Sequence, residues 1–85
     1  MKAILISEDN HGTIGVATTD KAAKKWLIDS GWIASYNEVW NSDTCTTSTL
    51  YDLYGDDWEA KYMEFDRDQM EDLGFFLREM DMAEE

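Results

Sequence analysis

Few residues of this 85-residue chain have side chains that could act in catalysis. His11 is the only histidine and Cys45 the only cysteine. Nucleophilic catalysis would need Cys45 or a serine within hydrogen-bonding reach of His11, and no spacing in the sequence brings such a pair together. Asn10 and Gly12 flank His11, and both residue types favour tight turns. We therefore predict that His11 holds a turn and that Cys45 is a buried or half-buried thiol. The protein is predicted not to be an enzyme, and a reaction centred on His11 is the weakest alternative.

Carboxylates are plentiful, but their spacing does not match a metal or phosphate site. A calcium-binding EF-hand loop requires a central glycine and a closing glutamate. A loop centred on Gly12 closes at Thr18, and a loop that starts at Asp66 has Glu71 where the glycine belongs. Gly12 and Gly15 are too close together for a dinucleotide-binding motif or a P-loop, and the P-loop lysine is missing. The sequence therefore predicts no metal and no cofactor.

The negative charge of the chain is unevenly distributed. Nineteen Asp and Glu stand against seven Lys and Arg, which gives a formal charge of −12. Residues 1–50 contain six acids and four bases, whereas residues 51–85 contain thirteen acids and three bases. Direct binding to nucleic acid or to an anionic membrane requires a basic surface, so the composition excludes both. The acidic half also contains Trp, Tyr and Phe, which indicates a folded region instead of a solvating tail.

An acidic folded surface complements a strongly basic protein and accelerates its capture. The most basic surfaces in a bacterium belong to proteins that bind nucleic acid, so we expect the chain to bind and block one of these, as a DNA mimic or inhibitor does. Tyrosines could anchor the contact, because Tyr and Trp are enriched in interface hot spots. The predicted binding residues are Tyr51, Asp52, Tyr54, Asp56, Asp57, Glu59, Tyr62, Glu64, Asp66, Asp68, Glu71 and Asp72.

The composition is also compatible with two alternative roles. The charge could serve only to keep a small, aromatic-rich protein soluble. Alternatively, the chain is a small structural or assembly module, homodimeric through an exposed sheet edge or an aromatic patch. Acids gathered on one side of the folded protein favour the binding hypothesis, and acids spread over all sides favour solubility.

The first half of the chain contains three predicted strands. Ala3–Ser7 and Thr13–Thr18 are short β-branched runs on either side of an Asp, Asn and Gly cluster, the pattern of a β-hairpin. Gly15 within the second run is typical of a bulge. Trp32–Trp40 is rich in Ile, Tyr, Val and Trp, and it is predicted to form a third strand.

A helix is predicted over residues 20–30, between the hairpin and the third strand. Thr19 and Asp20 are good N-cap residues, and Gly31 is placed for a left-handed residue at the C-terminal end. Apolar residues recur at helical spacing along one side. The opposite, exposed side is predicted to carry Lys21, Lys24 and Lys25.

The acidic half is predicted to be mainly helical. Asn41–Thr49 is polar and is interpreted as a loop, and Thr49–Tyr54 as a short helical turn closed by Gly55. Asp56–Glu59 has the pattern of a capping box. The apolar residues that follow fall at helical spacing and are Trp58, Tyr62 and Phe65.

The end of the chain allows two interpretations. Asp66–Gln69 is a second capping box, and it opens a helix through about Leu73. The helical pattern could continue further, but Gly74 in a helix interior would cost about 1 kcal/mol. We therefore predict that Gly74 ends the helix and that Phe75–Met82 forms a final strand, which adds to an antiparallel sheet.

Several segments resemble one group of small bacterial proteins. Ser7–Ala17 reads S-E-D-N-H-G-T-I-G-V-A, which resembles the opening of small uncharacterised proteins of phages and mobile elements in Gram-positive bacteria. Trp26–Ile28 with Trp32, and Gly55–Trp58, are similar to later parts of the same pattern. The resemblance implies a phage or mobile-element setting and favours the strand at 75–82. It implies no known activity and no functional residues.

These elements predict a single small α+β domain over residues 1–85, with a near-neutral half (1–50) and a strongly acidic half (51–85). The longest uninterrupted apolar run is Ala3–Ile6. A membrane span needs about 18 apolar residues, and a secretory signal peptide also needs a longer apolar run. We therefore expect a cytoplasmic protein with no membrane partner.

Overall fold

Five β-strands and four short α-helices make up residues 2–81, the part of the chain that this computed structural model describes. In chain order these are β1 (Lys2–Glu8), β2 (Gly12–Ala17), α1 (Asp20–Asp29), β3 (Glu38–Asn41), β4 (Thr46–Thr49), α2 (Leu50–Tyr54), α3 (Trp58–Met63), α4 (Arg67–Asp72) and β5 (Phe75–Asp81). A 3-10 turn, Gly55–Asp57, joins α2 to α3. The predicted α+β fold is confirmed.

Three strands form a central antiparallel sheet in the order β2-β1-β5. β1 lies in the middle, and it pairs with β5 along its whole length, from Lys2 opposite Asp81 to Glu8 opposite Phe75. The predicted N-terminal hairpin and the predicted C-terminal strand are therefore both confirmed. Met82, the last residue of that predicted strand, lies outside the described residues.

The central sheet has an inner and an outer face, because successive side chains of a strand point to opposite sides. Ile6 and Leu77 are direct partners that point inward, where the helices pack, and both are buried. Val16, Phe76 and Met80 are paired with the β1 residues that alternate with these, so their side chains point to the outer face. All three of these outer-face side chains are exposed.

A β-bulge interrupts β2 next to Gly15. The register shifts between Ile6, which lies opposite Gly15, and Ser7, which lies opposite Thr13, so Ile14 is the extra residue. Gly15 points to the inner face and lies against the ring of Trp26 in α1. A Cβ atom at Gly15 would be 2.9 Å from Trp26 Cη2. The absent side chain therefore lets α1 pack closely on the sheet.

Helix α1 begins and ends as predicted. The Thr19 side chain accepts a hydrogen bond from the N–H of Ala22 (3.0 Å). Gly31 follows the helix with φ 85°, a left-handed conformation that glycine adopts readily. The prediction that Lys24 lies on the exposed side is wrong, because its side chain is buried beneath the end of α3.

The predicted third strand, Trp32–Trp40, is wrong for most of its length. Only β3 is extended, and the residues before it form turns. Asn37 closes these turns, since its side chain accepts a hydrogen bond from the N–H of Ala34 (3.0 Å) and donates one to the carbonyl of Trp32 (3.1 Å). Ile33 is buried in the core. The apolar residues of this segment are therefore explained by individual contacts with the core and not by the hydrogen-bond ladder of a long strand.

The predicted loop Asn41–Thr49 is wrong in its second half. β4 pairs antiparallel with β3, and the two strands form a second hairpin separate from the central sheet. Three of the four β4 residues are threonines, which suit a strand because they are β-branched. Cys45 lies exposed at the tip of this hairpin with φ 55°. The prediction that Cys45 is buried or half-buried is therefore also wrong.

Local capping determines where α2 and α4 begin; the cap of α4 was predicted, and that of α2 was not. Thr49 and Asp52 cap α2 reciprocally, and Asp66 and Gln69 do the same for α4. Each pair satisfies backbone N–H groups that have no partner within the helix. Gly55, with φ 66°, ends α2 as the sequence predicts.

The capping box predicted at Asp56–Glu59 is absent. No side chain accepts a hydrogen bond from the first N–H groups of α3. The 3-10 turn runs directly into this helix, and the Trp58 N–H donates to the carbonyl of Gly55. A backbone carbonyl thus takes the place of the predicted carboxylate.

One hydrophobic core joins the inner face of the central sheet to the helices. Its largest fully buried side chains come from β1, from each of the four helices and from the segment between α1 and β3. They are Ile6, Leu27, Ile33, Leu50, Tyr62 and Met70. Full burial of one such side chain contributes roughly 1.5–3 kcal/mol. The acidic helices therefore share a core with the hairpin and α1.

Candidate binding surface

The predicted binding acids lie on the helical side of the central sheet, between α2 and the end of α4. We call these nine carboxylates the acidic helical surface. They are Asp52, Asp56, Asp57, Glu59, Glu64, Asp66, Asp68, Glu71 and Asp72, and all nine are exposed. Because α1 and α4 pack on the inner face of the sheet, this surface lies away from the outer face.

The outer face of the sheet has the opposite character. Within residues 2–81, its outward positions are Ala3, Leu5, Ser7, Thr13, Val16, Phe76, Arg78 and Met80. This set contains one base and no acid. The exposed carboxylates are therefore segregated from the outer face and not spread evenly around the molecule.

Basic side chains do little to neutralise the acidic helical surface. Its segment of sequence contains only Lys61 and Arg67 as bases. Arg67 points toward α1, where its Nε and Nη2 donate to both carboxylate oxygens of Asp20 at 2.8 and 2.9 Å. The pKa of Asp20 is lowered, first by this hydrogen bond and then by the charge of Arg67. One of the two bases is thus largely occupied by an acid of another helix.

The three predicted tyrosine anchors lie in different environments. Tyr51 on α2 is 53% exposed, so it is accessible to a partner. Tyr54 is half-buried, with its ring edge-on to Phe65 at a centroid distance of 6.1 Å. The prediction that Tyr62 belongs to the surface is wrong. Tyr62 is fully buried, its hydroxyl donates to the carbonyl of Lys24 (2.8 Å), and burial raises its pKa.

A groove that the sequence does not reveal borders the acidic helical surface. This hairpin groove, of about 370 Å³, lies between the β3–β4 hairpin and the helices α2 and α4. Trp40 and Leu53 line it together with Tyr54, and Asp43 and Asp72 supply carboxylates. Trp40 is 46% and Leu53 is 47% exposed. The groove therefore combines accessible apolar side chains with negative charge.

Lys24 has a structural environment that its sequence position does not indicate. Its side chain is 7% exposed, and its ammonium donates to the carbonyls of Met63 and, at 2.8 Å, of Phe65. Burial lowers the pKa of Lys24, and the charges of Asp20 and Asp66 partly oppose this effect. The ammonium satisfies carbonyls at the end of α3, where a positive charge is favourable.

His11 is held in the hairpin turn, and the partner that holds it is Glu8. The Nδ1 atom of His11 is 3.0 Å from Glu8 Oε1, and the same carboxylate accepts the N–H of Asn10 at 2.8 Å. These two hydrogen bonds lower the pKa of Glu8. The His11 ring packs edge-on against Trp32 with centroids 5.3 Å apart. The sequence signal was the Glu8 to His11 spacing of three residues across the turn.

His11 and Cys45 lie at the turns of different hairpins. Cys45 lies at the tip of the other hairpin, where its thiol is directed to the Ser42 carbonyl at 3.6 Å. Among residues 2–81, no three His, Cys, Asp or Glu side chains are grouped to hold a metal ion. In the same part of the chain, no helix is long and apolar enough to cross a membrane.

Comparison with known proteins finds no protein family whose model matches this chain, and no curated protein or solved structure that matches it.

Proposed function

We propose that the protein binds a basic, nucleic-acid-handling protein through the acidic helical surface and blocks it, without catalysing a reaction. The observation that supports this proposal is the segregation of charge. Nine exposed carboxylates lie on the helical side, whereas the described outer face of the sheet carries no acid. Charge that served only solubility would need no such segregation.

The physical basis of the proposed binding is competition for one basic surface. Carboxylates on neighbouring helices present negative charge where the phosphates of a nucleic acid would lie. Opposite potentials accelerate encounter and fix the orientation of the partner. A complex of this kind weakens as salt increases, because salt screens the attraction. The affinity of this protein for its partner would therefore be highest at low ionic strength.

The hairpin groove gives the proposed contact a specific anchor. An arginine or lysine of the partner could lie over the exposed ring of Trp40, since a cation is attracted to the face of an aromatic ring. Asp43 and Asp72 line the same groove, and their carboxylates would neutralise the positive charge of the partner's side chain. Leu53 would contact the aliphatic part of the side chain. The groove would thus take one anchoring side chain, and the wider acidic surface would provide long-range attraction.

The cellular setting in this proposal is the cytoplasm of a bacterium that carries a phage or mobile element. This setting is supported by the resemblance of Ser7–Ala17 to proteins of such elements. A nuclease or a DNA-binding protein of the host is the partner class that follows from it.

The proposal is tested by competition with DNA. Basic host nucleases and DNA-binding proteins are bound to a fluorescent DNA duplex, and release of the duplex by this protein is followed by fluorescence anisotropy. For a true partner we expect release of the duplex at about 50 mM salt. Direct binding of this protein to that partner, measured without DNA because the affinity for DNA also falls with salt, is expected to be at least tenfold weaker at about 300 mM than at about 50 mM. The variant Asp56→Asn/Asp57→Asn/Glu59→Gln is expected to release less DNA at about 50 mM salt.

A matched control separates a binding surface from net charge. The variant Asp9→Asn/Glu38→Gln/Asp81→Asn removes the same three charges at exposed positions outside the acidic helical surface. We expect this control to release DNA nearly as well as the natural protein. Equal losses in both variants would show that only total charge matters, and no release of DNA from any basic protein would exclude inhibition of those targets.

A further inference from the structure

We propose that two copies of this chain associate through the outer faces of their central sheets. This inference does not rest on the proposed binding of a basic protein, since it concerns the opposite side of the molecule. Within residues 2–81, the helices pack on the inner face of the sheet. Its outer face carries exposed apolar side chains at Val16 (56%), Phe76 (37%) and Met80 (48%), which come from both edge strands.

These side chains form a patch around the central strand. Leu5 of β1 lies directly opposite Val16 of β2 and Arg78 of β5, so one cross-strand row runs over the whole sheet. Met80 lies opposite Ala3, and Phe76 lies opposite Ser7. Ala3 is buried, Leu5 is half-buried, and Arg78 lies between Phe76 and Met80 along β5, so the exposed apolar area is small. Exposed apolar side chains that share one face of a sheet are a candidate interaction site.

Charge makes the outer face the side on which a second copy can be accommodated, because its described positions carry no acid. Two molecules that each carry −12 repel one another when their acidic helical surfaces approach. Contact between outer faces places both acidic helical surfaces on the outside of the pair, away from the contact. Packed sheets lie about 10 Å apart, and Arg78 would bring the only charge on the described part of this face, opposite in sign to the charge of the whole molecule.

The size of the face predicts a weak, reversible dimer. Three strands about 4.8 Å apart and six or seven residues long, at about 3.3 Å per residue, make a sheet of roughly 14 by 20 Å. Specific interfaces of standard size bury about 800 Å² on each partner, and one face of this sheet offers less. Dimerisation should therefore appear at micromolar to millimolar concentrations and not at nanomolar ones.

The free edges of the sheet are poorer contact sites than its outer face. β2 contains the bulge at Ile14, and the free edge of β5 carries the charged residues Arg78, Glu79 and Asp81. Bulges and charges are the features by which natural sheets prevent edge-to-edge pairing. We therefore assign the contact to the outer face.

The test measures molecular mass by sedimentation equilibrium over a range of protein and salt concentrations. We expect a monomer–dimer equilibrium that tightens as sodium chloride increases, because salt screens the repulsion between the two copies. This salt dependence is opposite to that of the proposed complex with a basic protein, so each proposal can fail without the other. A strict monomer up to about 1 mM protein in high salt would overturn the dimer.

Paired substitutions locate the contact. Met80→Glu adds one acid to the outer face, whereas Leu53→Glu adds one acid to α2 at a residue of nearly equal exposure, 48% against 47%. Met80→Glu is expected to weaken dimerisation at least about tenfold, as the loss of a central contact does, and Leu53→Glu much less. Val16→Glu, on the other edge strand, is expected to act like Met80→Glu and provides a second variant should Met80→Glu fail to fold. Equal weakening by all three would overturn the assignment to the outer face.

Discussion

A single missing side chain sets the distance between α1 and the central sheet. Gly15 packs against the Trp26 ring, and a Cβ atom at this position would be within 2.9 to 3.2 Å of three ring carbons. Gly15→Ala is therefore expected to lower the free energy of unfolding by about 1–3 kcal/mol, the usual effect of overpacking. Urea unfolding followed by tryptophan fluorescence measures the change.

A second substitution tests whether the Trp26 ring is the cause. In the Trp26→Leu background the ring is absent, so Gly15→Ala should cost much less than in the natural protein. An alanine at position 15 that stabilises the protein, as alanine usually does in place of a strand glycine, would contradict the close packing.

Lys24 illustrates how a surface residue type can have an interior role. Lys24→Met removes the ammonium that binds the carbonyls of Met63 and Phe65. Carbonyls left without a partner in a buried position cost about 1–3 kcal/mol, so we expect a loss of stability of that size in urea unfolding. Lys25→Met is the matched control, because Lys25 is the next residue of the same helix and its side chain is 70% exposed. A loss no larger than that of Lys25→Met would show that the two hydrogen bonds contribute little.

Burial of individual residues is the part that sequence reasoning predicted least well. The three lysines of α1 look equivalent in the sequence, and only the position of α3 makes Lys24 different. Tyr62 and Tyr51 are likewise both tyrosines in an acidic segment, yet one is in the core and the other is exposed. Cys45 is exposed because it lies at a hairpin tip that the sequence did not reveal. In each case the environment is created by an element distant in the chain.

At the scale of elements, signals between neighbouring residues were sufficient to predict where helices begin and end. The pairing of the short strands β3 and β4 could not be predicted in this way. The caps at Thr19 and Asp66 and the left-handed Gly31 and Gly74 depend on neighbouring residues, and the structure contains all four. The β3–β4 hairpin was missed because its strands have only four residues each. Strands this short carry too few alternating positions for a period of two to be recognised.

Helices α1 and α4 are joined by an ion pair whose contribution should depend on pH. The pKa of Asp20 is lowered from 3.8 by the hydrogen bond with Arg67. A lowered pKa in the folded state means that the pair stabilises the protein above about pH 4, and that this stabilisation is lost as pH falls through the folded pKa. The side chains are 41% and 40% exposed, so screening limits the effect to roughly 0.5–1 kcal/mol.

The substitution Asp20→Asn tests this dependence. The natural protein should be more stable than the variant at pH 6, and the difference should shrink toward zero as the pH is lowered below about 3.8. Asp29→Asn, at the other end of α1, changes the net charge equally without touching Arg67. Its stability difference at pH 6 is expected to stay within about 0.5 kcal/mol. A difference for Asp20→Asn that does not vary with pH would exclude the ion pair as its cause.

At the scale of the whole molecule, the sequence revealed the amount of charge but not its placement. Counting showed that residues 51–85 hold most of the acids. The separation into an acidic helical surface and an outer face with no acid at its described positions required the topology, because β5 belongs to the acidic half and yet joins the N-terminal hairpin. Alternation along β5 then sends Phe76, Arg78 and Met80 to one side and Glu79 and Asp81 to the other. A strand pairing between the two ends of the chain thus creates the segregation on which both proposals depend.

The unbalanced charge should make the folded protein more stable in salt. We expect the repulsion among the exposed carboxylates to outweigh the few Lys and Arg ion pairs in residues 2–81, namely those of Lys2, Lys25 and Arg67. Screening shortens the range of charge interactions from about 20 Å at 20 mM salt to about 4 Å at 500 mM. A gain of about 1 kcal/mol raises the Tm of a domain this small by roughly 4–8 °C, and we expect a rise of that order in sodium chloride.

The melting curves are repeated at tenfold dilution, since dimerisation would make the Tm depend on protein concentration. They are also repeated at about pH 4, where many carboxylates are protonated and the repulsion is small, and there the rise should largely disappear. A Tm that falls with salt at pH 7 would show that attraction between opposite charges, and not repulsion among the acids, dominates the electrostatics of the fold.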